Sequence, residues 1–121
     1  ISRMLVYKLE GKATLPPPPP AVERKLDLPP MPSTANVDKG RELFNTQCVF
    51  CHGVAAVSGV SFTPDLRYIS KETREQFAGI VMGGLRADKG MPHFHVQLTM
   101  EELNLVHDYL IKRSYDAKEG K

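Results

Sequence analysis

Two thiols and an imidazole stand together in the run Cys48-Val49-Phe50-Cys51-His52. Cysteines separated by two residues can add to the two vinyl groups along one edge of a porphyrin, and the histidine that follows can offer a ring nitrogen to the iron. We therefore predict that Cys48 and Cys51 attach one haem covalently and that His52 is the proximal iron ligand. A chance Cys-x-x-Cys, a zinc half-site and a redox disulfide are the alternatives.

The zinc site and the redox disulfide each lack a feature that they need. A zinc site requires more ligands, and the chain has no second cysteine pair. A thioredoxin-like motif lies at the start of a helix that follows a strand, and no such pattern surrounds Cys48. The histidine directly after the second cysteine favours haem.

A second iron ligand would distinguish an electron carrier from a protein that binds small molecules. Met91 is the preferred distal ligand, because it lies in a loop between Gly90 and Pro92, which restrict the backbone that must aim the thioether. His93 and His95 are its rivals, since imidazole also binds iron. The remaining methionines are interpreted as packing residues or lie outside the domain, and His107 is assigned no role.

The composition is that of one small domain with a thin core. The chain has 121 residues, of which 41% are hydrophobic and 7% aromatic, with no tryptophan. A buried cofactor would supply apolar surface that such a core needs.

The net charge of +2, which two haem propionates would bring close to zero, gives no indication of nucleic-acid binding. No apolar run reaches transmembrane length, no signal peptide is visible, and a chain that begins at Ile1 is expected to be a mature or excised piece.

Residues 1–33 precede the globular part and differ from it in pattern. Residues 1–9 alternate as a strand does, and residues 10–12 read as a turn. A lone strand lacks hydrogen-bond partners, so we predict that residues 1–12 are the terminal strand of a preceding β domain, with a frayed tail as the alternative. Residues 13–33, which contain an unbroken proline run at 16–20, predict a semi-rigid polyproline II linker rather than a ligand for a proline-binding module.

Three helices are predicted to position the site within residues 34–113. The first runs from Val37 to about Gln47, is capped by one of residues 33–36, and contains Gly40, whose lack of a side chain would let another helix approach. The second runs from Lys71 to about Met82. The third opens with a capping box at residues 99–102 and runs to about Lys112, so residues 114–121 are expected to be a frayed charged tail.

Several of these segments, in this order, resemble class I cytochrome c over residues 34–113. They are Gly40 and Phe44, the haem run, Pro64-Asp65-Leu66, Gly90-Met91-Pro92 and Tyr109. The resemblance implies an all-α fold of helices around one covalently bound haem, in which the first and last helices cross at the glycine and aromatic positions. It also implies that the Pro64 carbonyl accepts the N–H of His52 and that Leu66 packs on the haem.

The resemblance is closer still to the C-terminal haem c domain of type II quinohaemoprotein alcohol dehydrogenases. In that family the last strand of a propeller ends in a sequence like Lys8-Leu9-Glu10-Gly11-Lys12 and runs through a proline-rich linker into the haem domain. The resemblance implies a PQQ (pyrroloquinoline quinone) dehydrogenase domain and an external electron acceptor as partners, and a periplasmic location. PQQ and calcium would bind only in that parent domain, so this chain alone should have no catalytic site. A free-standing cytochrome c and a haem-based sensor with an open sixth position are the alternatives.

A few further side chains are predicted to contact the haem. Arg67 and Tyr68 would hydrogen-bond a propionate, with Arg86 a weaker candidate. Phe94, Phe62 and Ile80 would line the pocket. For each of them an ordinary surface or core role is the alternative.

Overall fold

A computed structural model describes residues 6, 8–14, 16–17, 20, 24–59 and 62–121. All regular structure within these residues is helical, which confirms the predicted all-α class. The α-helices are α1 (Thr34–Gln47), α2 (Val49–His52), α3 (Lys71–Glu75), α4 (Phe77–Val81) and α5 (Met100–Lys118), with single 3-10 turns at Val54–Ala56, Leu66–Tyr68 and Ala87–Lys89. No helix among the described residues is long and apolar enough to cross a membrane.

The predicted N-terminal strand falls mainly on residues 1–5 and 7, which lie outside the described residues. A turn is present over residues 8–11, slightly before the predicted 10–12, since the Gly11 N–H donates to the Lys8 carbonyl over 3.1 Å. The strand and its assignment to a preceding β domain stay predictions.

Helix α1 begins earlier than its apolar pattern indicates. The Ser33 hydroxyl accepts a hydrogen bond from the Asn36 N–H at 3.3 Å, so the cap lies within the predicted interval and the helix starts at Thr34 rather than Val37. The Asn36 side chain in turn donates to Asp108 of α5 at 2.8 Å. The polar first turn of α1 is therefore helical because it is capped and because it is bonded to α5.

Helices α1 and α5 cross in close contact at Gly40, as predicted. Gly40 is buried against the backbone of Leu105. One turn further along α1, the Phe44 ring packs on Tyr109 with the ring centres 5.3 Å apart. Aromatic pairs at this distance and tilt add to the apolar burial that holds the crossing together.

The second predicted helix is not continuous, and this prediction was wrong. Ser70 caps α3 as expected, but Gln76, with φ −94° and ψ 5°, separates α3 from α4. No glycine or proline marks the break in the sequence. Residue 74 on α3 is buried against α5, whereas Ile80 and Val81 on α4 are buried in a separate apolar cluster. Tertiary packing thus overrides the local helical pattern.

Helix α5 opens with the predicted capping box and ends later than predicted. The Thr99 hydroxyl accepts from the Glu102 N–H at 3.2 Å, and the Glu102 carboxylate accepts from the Thr99 N–H at 2.8 Å. The expectation of a frayed tail from residue 114 was wrong, because the helix continues to Lys118 and buries Ser114 and Asp116. Asp116 forms ion pairs with Lys112 and Arg113, one turn earlier on the same helix.

The core consists of two apolar clusters that share neighbours. The first cluster is Phe44, Ala56, Ile69, Val106, Tyr109 and Leu110, and the second is Ile80, Val81, Leu98 and Leu103. Leu43 and Phe77 contact both clusters and join them.

Candidate functional site

The two cysteines lie on one short helical turn that directly continues α1. The Cys48 N–H bonds to the Phe44 carbonyl at 2.8 Å, and the His52 N–H bonds back to the Cys48 carbonyl at 3.0 Å. The local hydrogen bonding therefore brings the thiols and the imidazole together without help from distant parts of the chain.

The two thiols are both free and differ in exposure. Cys48 is half-buried and packs against the first cluster, whereas Cys51 is exposed. Burial, with a smaller contribution from Cys51, raises the pKa of Cys48 to about 11. Between them, the bulky Phe50 side chain is 98% exposed. The pair thus offers one thiol at the core and one at the surface.

His52 carries an unpaired buried nitrogen. Its Nδ1 atom has no hydrogen bond of ordinary geometry within the described part of the chain. Burial lowers the pKa of His52, and hydrogen bonding with the Pro64 backbone acts in the opposite direction. A lowered pKa keeps the imidazole neutral, which is the form that binds a metal.

The loop after His52 has an unusual backbone that the sequence did not reveal. Gly53 has φ +74°, and a Cβ there would lie 2.2 Å from the Val57 carbonyl oxygen. Ala55 and Ala56 also have positive φ, 57° and 63°, although alanine rarely adopts this conformation. Arg113 of α5 holds the loop by donating from Nε to the Ala55 carbonyl at 2.9 Å. No glycine or asparagine at 55 or 56 gave a signal for this turn.

The segment from Pro64 to Tyr68 lies beside the first cluster. Leu66 packs against that cluster, as does Cys48. Arg67 is engaged by Asp65, to which it donates from Nε at 3.0 Å and from Nη2 at 2.8 Å. The Tyr68 ring lies under the Arg67 guanidinium at 5.6 Å. Contact of Arg67 or Tyr68 with a propionate stays a prediction, and for Arg67 it requires sharing the guanidinium with Asp65.

Met91 and Phe94 both pack on the second cluster. Met91 is half-buried there, and the Phe94 N–H bonds to the Val81 carbonyl at 2.8 Å. Gly90, just before Met91, has φ +84°, a value that favours glycine. The thioether thus lies among apolar side chains that include Ile80, another predicted pocket residue.

The remaining candidates are at the surface or are assigned elsewhere. His93 and His95 are exposed and stack on each other with ring centres 4.6 Å apart. Phe62 is 87% exposed and belongs to neither cluster. Arg86 is partly buried and bonds through its backbone carbonyl to the Met91 N–H at 3.2 Å. His107 is half-buried beside Phe77, and its Nε2 is without a hydrogen-bond partner in the described chain.

This donor set fits a c-type haem. Two free thiols two residues apart and a neutral imidazole directly after them can attach and ligate such a haem, and a thioether on an apolar cluster can be its second ligand. Among the described residues, no group of three or more His, Cys, Asp or Glu side chains converges to hold a metal ion by itself.

Comparison with known proteins gives a consistent result. The family model described as "Cytochrome C oxidase, cbb3-type, subunit III" matches residues 35–110. Quinohemoprotein alcohol dehydrogenase ADH IIB of Pseudomonas putida is 42% identical over 118 residues, which are 95% of this chain and 17% of that protein. The dehydrogenase subunit of the quinone alcohol dehydrogenase of Gluconobacter oxydans is 32% identical over 96% of this chain and 15% of its own length.

A solved structure agrees with the sequence comparisons. The quinohemoprotein alcohol dehydrogenase ADHIIG of Pseudomonas putida HK5 superposes with a TM-score of 0.76 at 39% identity, covering 93% of this chain and 16% of that chain. The chain thus spans about a sixth of the length of the relatives that it matches.

Proposed function

Since this chain belongs to the cytochrome c family whose model spans residues 35–110, we propose that it carries a single covalently bound haem c and transfers electrons. The observation that carries this proposal is the juxtaposition of two free thiols, two residues apart, with the imidazole of His52, whose pKa is lowered by burial. One Cys-x-x-Cys-His run in the chain supports one haem. Bound haem c would supply a one-electron iron couple, and ligation by methionine and histidine would favour a raised reduction potential.

Each residue in the proposal has one task. Cys48 and Cys51 form the thioether bonds, and His52 is the proximal ligand, oriented by the Pro64 carbonyl. Met91 is the distal ligand. Leu66 on the first cluster and Phe94 on the second line the haem pocket and exclude water from it. Arg67 and Tyr68 contact a haem propionate.

The proposed electron donor is a PQQ-dependent dehydrogenase domain, and the proposed acceptor is an external redox protein, quinone or oxidase. This rests on the relatives, which are named as quinohemoprotein or quinone alcohol dehydrogenases and are several times longer than this chain. PQQ and calcium would bind in that larger domain, and the location would be the periplasm. A free-standing cytochrome c, with residues 1–33 as an incidental tail, is the second candidate.

Mass and optical spectra of the haem-loaded protein test the haem and its ligand. We expect a mass larger than that of the polypeptide by one haem, and a ferric methionine-to-iron charge-transfer band. Met91→Ala should abolish that band and lower the reduction potential, whereas Met100→Ala, at an exposed position of α5, should change neither. An unmodified polypeptide mass would refute the haem, and a band that survives Met91→Ala would refute the ligand.

Reduction by an alcohol tests the proposed relay. When a primary alcohol is added to the PQQ- and calcium-loaded protein encoded by the parent gene, the haem absorption should change to that of the ferrous form. A parent gene with no propeller domain upstream of residue 1 would instead favour the free-standing carrier.

A further inference from the structure

The second half of the proline-rich segment is bound to the helical domain. Residues 24–32, which we call the strap, contact it at three points. Arg24 donates to Asp65 at 3.0 Å, Asp27 pairs with Arg74, and the Pro29 carbonyl accepts from the Tyr115 hydroxyl at 2.8 Å. Asp65 caps the 3-10 turn Leu66–Tyr68, Arg74 is on α3 and Tyr115 is on α5, so the strap lies across three separate elements.

The central contact involves a buried charge. The Arg74 side chain is 5% exposed, and its Nε lies 3.0 Å from a carboxylate oxygen of Asp27. The Nη2 atom donates to the Ser114 hydroxyl at 2.8 Å and to the Asp27 carbonyl at 3.4 Å. Neither Nε nor Nη1 has a hydrogen bond of ordinary geometry within the described residues, so the contact of Nε with Asp27 is an ion pair. A buried guanidinium without a counter-charge is strongly destabilising. Asp27 of the strap is the carboxylate that provides this compensation.

Ser114 extends the network towards the candidate haem site. It is fully buried on α5, and its hydroxyl donates to the Arg67 carbonyl at 2.7 Å while it accepts from Arg74. Arg67 lies in the 3-10 turn Leu66–Tyr68, and Leu66 shares the first cluster with Cys48. A continuous polar chain therefore connects Asp27 of the strap, through Arg74 and Ser114, to the turn whose Leu66 packs on the same cluster as Cys48.

We propose that the strap is an integral part of the helical domain and that Arg74 is a positioning residue. When the strap is docked, Asp27 holds Arg74, and Arg74 in turn holds the turn Leu66–Tyr68 in place through Ser114. The strap occupies residues 24–32 of the linker that the sequence predicts over residues 13–33. The link to the haem rests on the proposed function, whereas the docking of the strap does not.

Limited digestion with a lysine-specific endoprotease, which does not cut after Arg24, tests the docking. Lys12 and Lys25 are both exposed, so docking rather than side-chain accessibility should decide their relative rates. In the haem-loaded full-length protein, cleavage after Lys12 should precede cleavage after Lys25, because proteases require local unfolding around the bond they cut. Arg74→Gln should accelerate cleavage after Lys25 about tenfold, and Tyr115→Phe, which removes one hydrogen bond to the strap, about fivefold. Both variants leave the sequence around Lys25 unchanged.

Arg41→Gln is the matched control, because Arg41 forms an exposed ion pair with Asp38 on α1, away from the strap. It should leave both cleavage rates unchanged, and cleavage after Lys12 should be the same in every variant. Equal rates after Lys12 and Lys25 in the wild type, or an unchanged Lys25 rate in Tyr115→Phe, would overturn the docking. Tyr115→Phe keeps the test decisive if Arg74→Gln fails to fold.

Redox titration tests the positioning role. Ser114→Ala interrupts the network between Arg74 and the Arg67 carbonyl but leaves the Asp27 pair in place. It should lower the reduction potential without accelerating cleavage after Lys25, since a looser turn admits water to the haem. An unchanged potential would overturn the positioning role. Absence of attached haem would overturn the proposed function instead, and the digestion would still decide whether the strap is docked.

Discussion

Gly40 of α1 lies so close to Leu105 of α5 that a Cβ on Gly40 would be 1.9 Å from the Leu105 carbonyl oxygen. The obstacle is backbone, which cannot rotate away as a side chain can. The same Cβ would also lie 3.0 Å from the Cβ of Tyr109, whose ring packs on Phe44. The spacing of α1 and α5 is therefore set at Gly40, and the first cluster depends on it.

Gly40→Ala should lower the free energy of unfolding by about 3 kcal/mol or more, because the two helices must move apart to admit the methyl group. Chemical denaturation of the haem-loaded protein would measure the change. Gly59→Ala is the matched control, since a Cβ there meets nothing within 4 Å, and it should change stability by less than about 0.5 kcal/mol. Equal effects of the two substitutions would contradict the close crossing.

Ala55→Gly should stabilise the protein, by up to about 1 kcal/mol, because glycine adopts the left-handed conformation without the steric cost that alanine bears. Ala35→Gly, the same substitution in the first turn of α1, should instead destabilise it, by up to about 0.5 kcal/mol. Thermal unfolding of both variants against the wild type provides the measurement. Destabilisation by Ala55→Gly would show that the loop does not hold residue 55 at positive φ.

Asp116→Asn should reduce stability in a pH-dependent way. Burial by itself would raise the pKa of Asp116, but its bonds with Lys112 and its attraction to Arg113 outweigh burial and hold the pKa below its usual 3.8. A lowered folded-state pKa contributes stability above the unfolded pKa, and this contribution is lost as the pH falls below about 4. The variant should therefore unfold about 1–2 kcal/mol more easily at neutral pH, with the difference shrinking in acid.

Urea unfolding at a series of pH values measures this difference. Asp38→Asn is the control, because its ion pair with Arg41 is exposed and contributes little. A difference between wild type and Asp116→Asn that stays constant down to about pH 3 would contradict the ion pairing of Asp116.

Replacing His93 and His95 together with alanine should leave the reduction potential and the charge-transfer band of the haem-loaded protein unchanged. Both rings are exposed and stacked on each other, whereas Met91 is half-buried on the second cluster. Loss of the band in the double variant, with retention in Met91→Ala, would transfer the distal role to a histidine.

The sequence was most informative where a feature is local. The Cys48–His52 run is closed by hydrogen bonds within a few residues, and the capping box at Thr99 and Glu102 is likewise made by residues three apart. Gly40 could be interpreted because a helical glycine is costly unless another backbone approaches it. These features depend on short-range geometry that residue type and spacing define.

Other features depend on contacts that join distant segments. Gln76 breaks the second helix without a breaker residue, α5 continues to Lys118 with Asp116 buried, and Ala55 is held at positive φ by Arg113. The docking of Asp27 on Arg74 bridges residues far apart in the chain, so neither spacing nor composition indicated it.

The sequence by itself determined the residues for covalent haem attachment, the helical class and the family resemblance. Only the tertiary structure decided which part of the proline-rich segment is docked, how α3 and α4 divide, and where Met91 lies relative to the core. The physical reason is that burying a charge such as Arg74 or straining a residue such as Ala55 is stable only when partners from elsewhere in the chain compensate the cost.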